Sequence, residues 1–193
     1  MAADPAPAAF PYQIATASPT VDGWQRLQEI QLNDSLLETL PVAVGAWTRL
    51  QNFYAQNNRL HTLPAEIGHW SELRLLRLHK NRLTSLPATI GNWIQITDLI
   101  LSSNRLHELP EQIGHLSQLH ELILSNNRLQ ALPEQIGTLA HLHTLNLMNN
   151  LLETLPVELA QLGTLHHLMI YNNPLQEIPA EIKAALKDCD IYM

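Results

Sequence analysis

His120, His143 and His166 recur 23 residues apart, with His167 beside the last. Imidazole ligates transition metals and changes charge near neutral pH. A metal site needs nitrogens that converge on one point from a fixed shell. Side chains one structural repeat apart would instead form a line at ~5 Å steps. Neither a cysteine nor a partnered carboxylate joins them, so no metal and no other cofactor is expected. Such a ladder would act at most as a weak pH sensor. Arg59, Arg82, Arg105 and Arg128 keep the same spacing. A row of guanidinium groups suits acidic segments or phosphates, because its forked donors match their oxygens. The plainer role is a solvated edge, with acidic neighbours such as Glu108 softening the repulsion. Trp24, Trp47, Trp70 and Trp93 also share one slot, which later carries Leu116, Leu139 and Leu162. An apolar slot throughout reads as core filling rather than a ligand platform. Cys189 is the only cysteine, and no His or Asn stands near it in a nucleophile context. Gly-rich phosphate loops, HExxH, GxSxG and paired CxxC are all missing. No catalytic residue is assigned, and the chain is expected not to be an enzyme.

What places these residues is an internal repeat. The hexapeptide LPEQIG occurs at 109–114 and again at 132–137. With Leu27 as position 1 and a step of 23, position 4 runs Ile30, Phe53, Leu76, Leu99, Leu122, Leu145, Leu168. Position 6 runs Leu32, Ala55, Leu78, Leu101, Leu124, Leu147, Ile170, and position 11 is Leu from Leu37 to Leu175. Position 9 is Ser35 and then Asn58, Asn81, Asn104, Asn127, Asn150 and Asn173. Position 15 is Pro from Pro41 to Pro179. One such unit cannot bury its own apolar face, whereas stacked units share a continuous core. Apolar residues at 4 and 6 alternate with variable ones at 3, 5 and 7, the pattern of a half-exposed strand. Every repeat runs the same way, so the strands are parallel. Asn at position 9 can bond neighbouring backbone inside the turn, and a stack of them makes a ladder. Proline at position 15 suits the start of a short helical turn.

The pattern LxxLxLxxNxL followed by xxLPxxIGxL resembles the leucine-rich repeat family. Its 23-residue LPxxIG form is similar to a subclass found in intracellular Ras-binding scaffolds, their plant relatives and many bacterial proteins. The resemblance covers residues 24–193. It implies an α/β solenoid, an open right-handed horseshoe. A parallel sheet of about eight short strands would line the concave face, ~34 Å long, with short 3₁₀ or α turns on the convex face. It further implies a protein-binding module that works through the concave face.

Residues 1–17, rich in Ala and Pro, are expected to be a disordered lead-in. The repeat domain then spans 18–193: a half repeat at 18–26, seven full repeats at 27–187 and a terminal capping strand at 188–193. Ile191 and Met193 fall at positions 4 and 6, so the solenoid reads as complete. Positions 3, 5, 7 and 8 should face inward. The partner-binding set among them is Tyr54, Arg77, His79, Asp98, Ile100, Glu121, Ile123, Met148, Met169 and Tyr171, rich in types favoured at interface centres. Arg59, Arg82, Arg105 and Arg128 form a candidate edge for an acidic partner. A net charge of −7 argues against nucleic acid. No segment reaches the ~20 apolar residues of a membrane span. The partner is thus an unknown protein, and the chain is expected to be monomeric. One cysteine and no secretory leader suit the cytoplasm. Unconventional export would leave no mark, so an exported bacterial effector or surface adhesin acting on a host protein is the alternative.

Overall fold

A computed structural model describes residues 26–193. The lead-in at 1–17, most of the half repeat and Trp24 lie outside the described residues. The remainder is an open solenoid. Eight parallel strands pair in sequence order: β1 (Glu29–Gln31), β2 (Asn52–Tyr54), β3 (Leu75–Arg77), β4 (Asp98–Ile100), β5 (Glu121–Ile123), β6 (Thr144–Asn146), β7 (His167–Met169) and β8 (Asp190–Tyr192). Register advances one repeat per strand, for example Leu76↔Leu99 and Leu99↔Leu122. Each strand is only three residues long, and its central residue points into the core while its flanks point out. Leu76, Leu99, Leu122 and Leu145 are fully buried, as are Leu101, Leu124 and Leu147 just beyond the strands. One sheet face is therefore continuous leucine core and the other is open, as the alternation requires.

The turn after each strand is held by the asparagines. Asn127 Nδ2 donates to the carbonyls of Leu101 and Leu124 at 3.0 and 2.9 Å. Its Oδ1 accepts the Leu106 amide at 3.0 Å. Asn81 and Asn104 repeat this arrangement one rung earlier each time, and Asn150 one rung later. Position 8 has a duty that the sequence reading assigned elsewhere. Asp34, Asn57, Lys80, Ser103, Asn126, Asn149 and Asn172 all sit at φ between 54° and 58°. That is the left-handed region, costly for most residues and best tolerated by Asn and Asp. The position serves the turn first, although its side chains stay on or near the surface. Lys80→Asn is expected to raise stability by roughly 0.5–1 kcal/mol; an unchanged urea midpoint would contradict this.

The return path is convex. Six 3₁₀ turns (Val42–Ala46, Ala65–His69, Ala88–Asn92, Glu111–His115, Glu134–Thr138, Val157–Gln161) are followed by one helix, α1 (Ala180–Ala185). Proline stands at the N-cap of each, extended at Pro64 with φ −69° and ψ 150°, and its carbonyl accepts the first bond, Ile67 N–H to Pro64 at 3.2 Å. Having no N–H, it loses nothing there. Glycine recurs where successive turns press together. A Cβ at Gly137 would run into the backbone carbonyl of Glu158 on the next repeat. Gly137→Ala is expected to cost about 1–3 kcal/mol, because backbone rather than a flexible side chain must yield; thermal unfolding measures it. Trp47, Trp70 and Trp93 are at most 1% exposed and stack rung on rung at 5.9 and 6.4 Å. They fill the core, as their slot implies.

Candidate partner-binding surface

The open sheet face carries three rows of side chains, one from each outward position of the rungs. In the central row Tyr54, Arg77, Ile100 and Ile123 lie in register across β2 to β5. Asn146, Met169 and Tyr192 continue it through β8. The Arg77 guanidinium carbon lies 5.6 Å from the Tyr54 ring centroid, a cation–π contact that fixes both groups. Ile100 and Ile123 are half-buried.

In the strand-entry row Asp98 and Glu121 are register partners. Thr97 Oγ1 donates to Asp98 Oδ2 at 2.6 Å. Burial pushes the Glu121 carboxyl above its ordinary pKa, and the charge of Asp98 and a hydrogen bond to it push the same way. Arg77 opposes them weakly. The folded chain thus holds this proton more tightly than the unfolded one. The stability it contributes is full below the ordinary carboxylate range and is lost as pH rises through the raised value. Asp98→Asn is expected to bring the Glu121 titration down toward the ordinary value, read by carboxyl NMR. A titration that stays put would mean that burial alone causes the shift.

The third row runs His79, Ser102, Ser125, Met148 and Tyr171. Burial, then Lys80 and Arg77, lower the His79 pKa. At its N-terminal end Asn33 Oδ1, Gln56 Oε1 and His79 Nδ1 are buried and have no hydrogen-bond partner among the described residues. The ten residues singled out for partner binding therefore share one face.

The other candidates lie apart from it. The Arg59, Arg82, Arg105 and Arg128 side chains are exposed just past the left-handed turn, while their amides bond the preceding repeat. Arg59 reaches Glu38 at 4.0 Å, an exposed pair worth ~0–1 kcal/mol. Among the described residues Arg82, Arg105 and Arg128 make no ion pair. Exposed Leu36 and Leu151 occupy the same position in repeats one and six, so the row is not uniformly basic. His120, His143 and His166 stand immediately before β5, β6 and β7, the first two rings stacked at 5.1 Å and the third tilted at 5.3 Å from His143. His141 joins at 6.2 Å, and its Nδ1–H donates to the Ser117 carbonyl at 2.8 Å. Slight burial and the neighbouring imidazoles lower the His143 pKa. Among the described residues no group of three or more His, Cys, Asp or Glu is arranged to hold a metal ion. Cys189 is half-buried, and burial pushes its thiol up, the wrong direction for a nucleophile.

Sequence reasoning missed two features. Asn149 Nδ2 donates to Asn126 Oδ1 at 3.0 Å, and Asn172 Nδ2 to Asn149 Oδ1 at 2.8 Å, an exposed amide ladder. Its signal was three successive asparagines at position 8. Ser125 and Asn146 are also buried to more than nine-tenths on a face expected to be wet.

Comparison with known proteins agrees with this geometry. A family model of two-copy leucine-rich repeats matches residues 117–161, and a leucine-rich repeat model matches residues 71–129. No curated protein matches significantly. Among solved structures, a leucine-rich-repeat protein of Leptospira interrogans is 35% identical, with TM-score 0.81, over 88% of this chain and 43% of that one. A plant peptide hormone receptor, RGFR1 in complex with RGF2, is 29% identical, with TM-score 0.72, over 80% and 26%. The Toll–Spätzle complex of Drosophila is 26% identical, with TM-score 0.76, over 83% and 24%. The chain spans less than half the length of each of these. Among the described residues no helix is long and apolar enough to cross a membrane. From the eight-stranded solenoid, its asparagine ladder and these matches, the chain is a leucine-rich-repeat-fold protein, related to other leucine-rich-repeat proteins and receptors.

Proposed function

We propose that this chain is a non-enzymatic, monomeric module that binds a partner protein on its concave face. The observation that carries this reading is the in-register row Tyr54, Arg77, Ile100 and Ile123. Those residues do not build the solenoid, whose leucines lie on the other face of the same strands. A pair of adjacent half-buried isoleucines beside a cation–π pair has the composition of an interface centre. The sheet holds these groups in place before any partner arrives, so binding costs little backbone ordering. The matched receptor complexes with RGF2 and Spätzle support a protein partner. The strict 23-residue LPxxIG register supports placement in that subclass. A lone thiol supports residence in the cytoplasm.

The test is affinity capture from lysate with wild type and with Arg77→Glu/Ile100→Glu/Ile123→Glu, after both are shown to melt alike. A protein held by wild type and lost by the variant is expected. The same proteins held equally by both would move the site off this face.

A further inference from the structure

We propose that the concave face at β4–β6 receives an extended protein segment presenting a lysine or arginine. The cationic head would lie on the Asp98 and Glu121 carboxylates and the aliphatic stem over Ile100 and Ile123. This rests on the concave face being the binding surface and names the chemistry it selects.

The tile is built from two strands. Asp98 pairs with Glu121, and Ile100 with Ile123. Along each strand the carboxylate and the isoleucine are two residues apart, about 7 Å, within reach of a long basic side chain. Such side chains lay their stems on apolar surface and keep their charge on a polar group. Among the described residues neither Asp98 nor Glu121 is in an ion pair. Two like charges on neighbouring strands repel each other, and a cation between them would turn that cost into attraction. Burial first, and then the charge of Asp98 and a hydrogen bond to it, raise the Glu121 titration, with Arg77 opposing them only in part. Arg77, the cation whose charge acts on Glu121, lies over the Tyr54 ring on the neighbouring strand.

Two further groups point to a bound backbone. Ser125 is 5% exposed and Asn146 is 9% exposed, on the same open face. Asn146 Oδ1 is used by the Met148 amide at 3.2 Å. Its Nδ2, and the Ser125 hydroxyl, have no partner among the described residues. Unlike the buried unpartnered atoms of Asn33, Gln56 and His79, both atoms still reach solvent at the open face. A peptide carbonyl on Asn146 and a peptide amide or carbonyl on Ser125 would satisfy them. Ser102 and Ser125 are also the smallest side chains of their row, between His79 and Met148, and leave room for a passing chain.

The experiment selects a displayed library of random twelve-residue peptides on the full chain. Selected peptides are then measured against wild type, Asp98→Asn/Glu121→Gln and Ile100→Glu/Ile123→Glu. The first variant is isosteric and keeps the fold. One recurring Lys or Arg is expected, whose replacement by norleucine or citrulline weakens binding at least about tenfold. Asp98→Asn/Glu121→Gln should weaken the parent peptide equally and the replaced peptide hardly at all. A selection with no recurring cation, or no binder, overturns the proposal. If only Ile100→Glu/Ile123→Glu abolishes binding, the concave-face reading stands and the cation does not. If neither variant matters, both fail.

Discussion

Asn127→Ala is expected to lower the free energy of unfolding by about 3 kcal/mol, out of proportion to the few atoms removed. The amide of Leu106 has Asn127 Oδ1 as its partner and is buried. Without it that donor is orphaned, at a cost of ~1–3 kcal/mol. The Leu101 and Leu124 carbonyls lose one bond each but not their last. Leu101 still accepts from Asn104 at 3.0 Å, and Leu124 from Asn150 at 3.0 Å. Each carbonyl is thus shared by two successive asparagines, and the ladder links repeats as well as closing turns. In a solenoid whose stability is a sum of units and neighbour interfaces, such a break also loosens the coupling between its two ends. Asn127→Asp separates the roles. It keeps an acceptor for Leu106 but points a carboxylate oxygen at two carbonyls, in a site only 8% exposed. A buried charge facing acceptors is costly, so Asp should be no better than Ala despite its shape. Asn173 is only half-buried, and Asn173→Ala should cost less. Urea unfolding decides the matter, and an Asn127→Ala midpoint equal to wild type would remove the ladder as a source of stability.

This ladder was legible in the sequence because it repeats. A residue required by every rung appears at every rung, and so the strands, the leucine core, the convex turns and the tryptophan slot could be read before any coordinates. Position 8 shows where that logic weakens. Its backbone requirement favours Asn or Asp without excluding others, and Lys80 and Ser103 disguise it. A charged residue in that disguise reads as a binding group. The concave rows follow the opposite rule. Their identities are free of the fold, so nothing in one repeat predicts the next. Placement followed from register, which put Asp98 beside Glu121 and Ile100 beside Ile123. Burial did not follow, because it depends on sheet curvature and on the sizes of neighbours two rungs away. Asn146 and Ser125 therefore looked like ordinary wet positions. The same limit applies to the Arg row, whose single described ion pair is to Glu38 and not Glu108.

Trp70→Ala is expected to cost about 3–5 kcal/mol. The indole is 1% exposed and touches three rings, at 5.0 Å from Phe53, 5.9 Å from Trp47 and 6.4 Å from Trp93. Its Nε1 donates to the Val44 carbonyl at 2.8 Å, bridging two repeats. Truncation to Ala leaves a cavity that the stacked neighbours cannot close, since each is pinned by its own rung. Trp93 is tied by its Nε1 to Ile67 at 2.9 Å. Trp70→Leu is the informative comparison, because Leu116, Leu139 and Leu162 fill the same slot in later repeats. The Val44 carbonyl keeps the Trp47 amide at 3.1 Å, so Leu orphans nothing. It should cost about 1–2 kcal/mol, from the lost bond and the residual volume. Thermal unfolding of the two variants separates volume from polarity. If Leu proves as damaging as Ala, the hydrogen bond and ring stacking hold the first repeats together. If Leu recovers most of the loss, the slot asks only to be filled, and aromatic and aliphatic repeats are interchangeable units of one core.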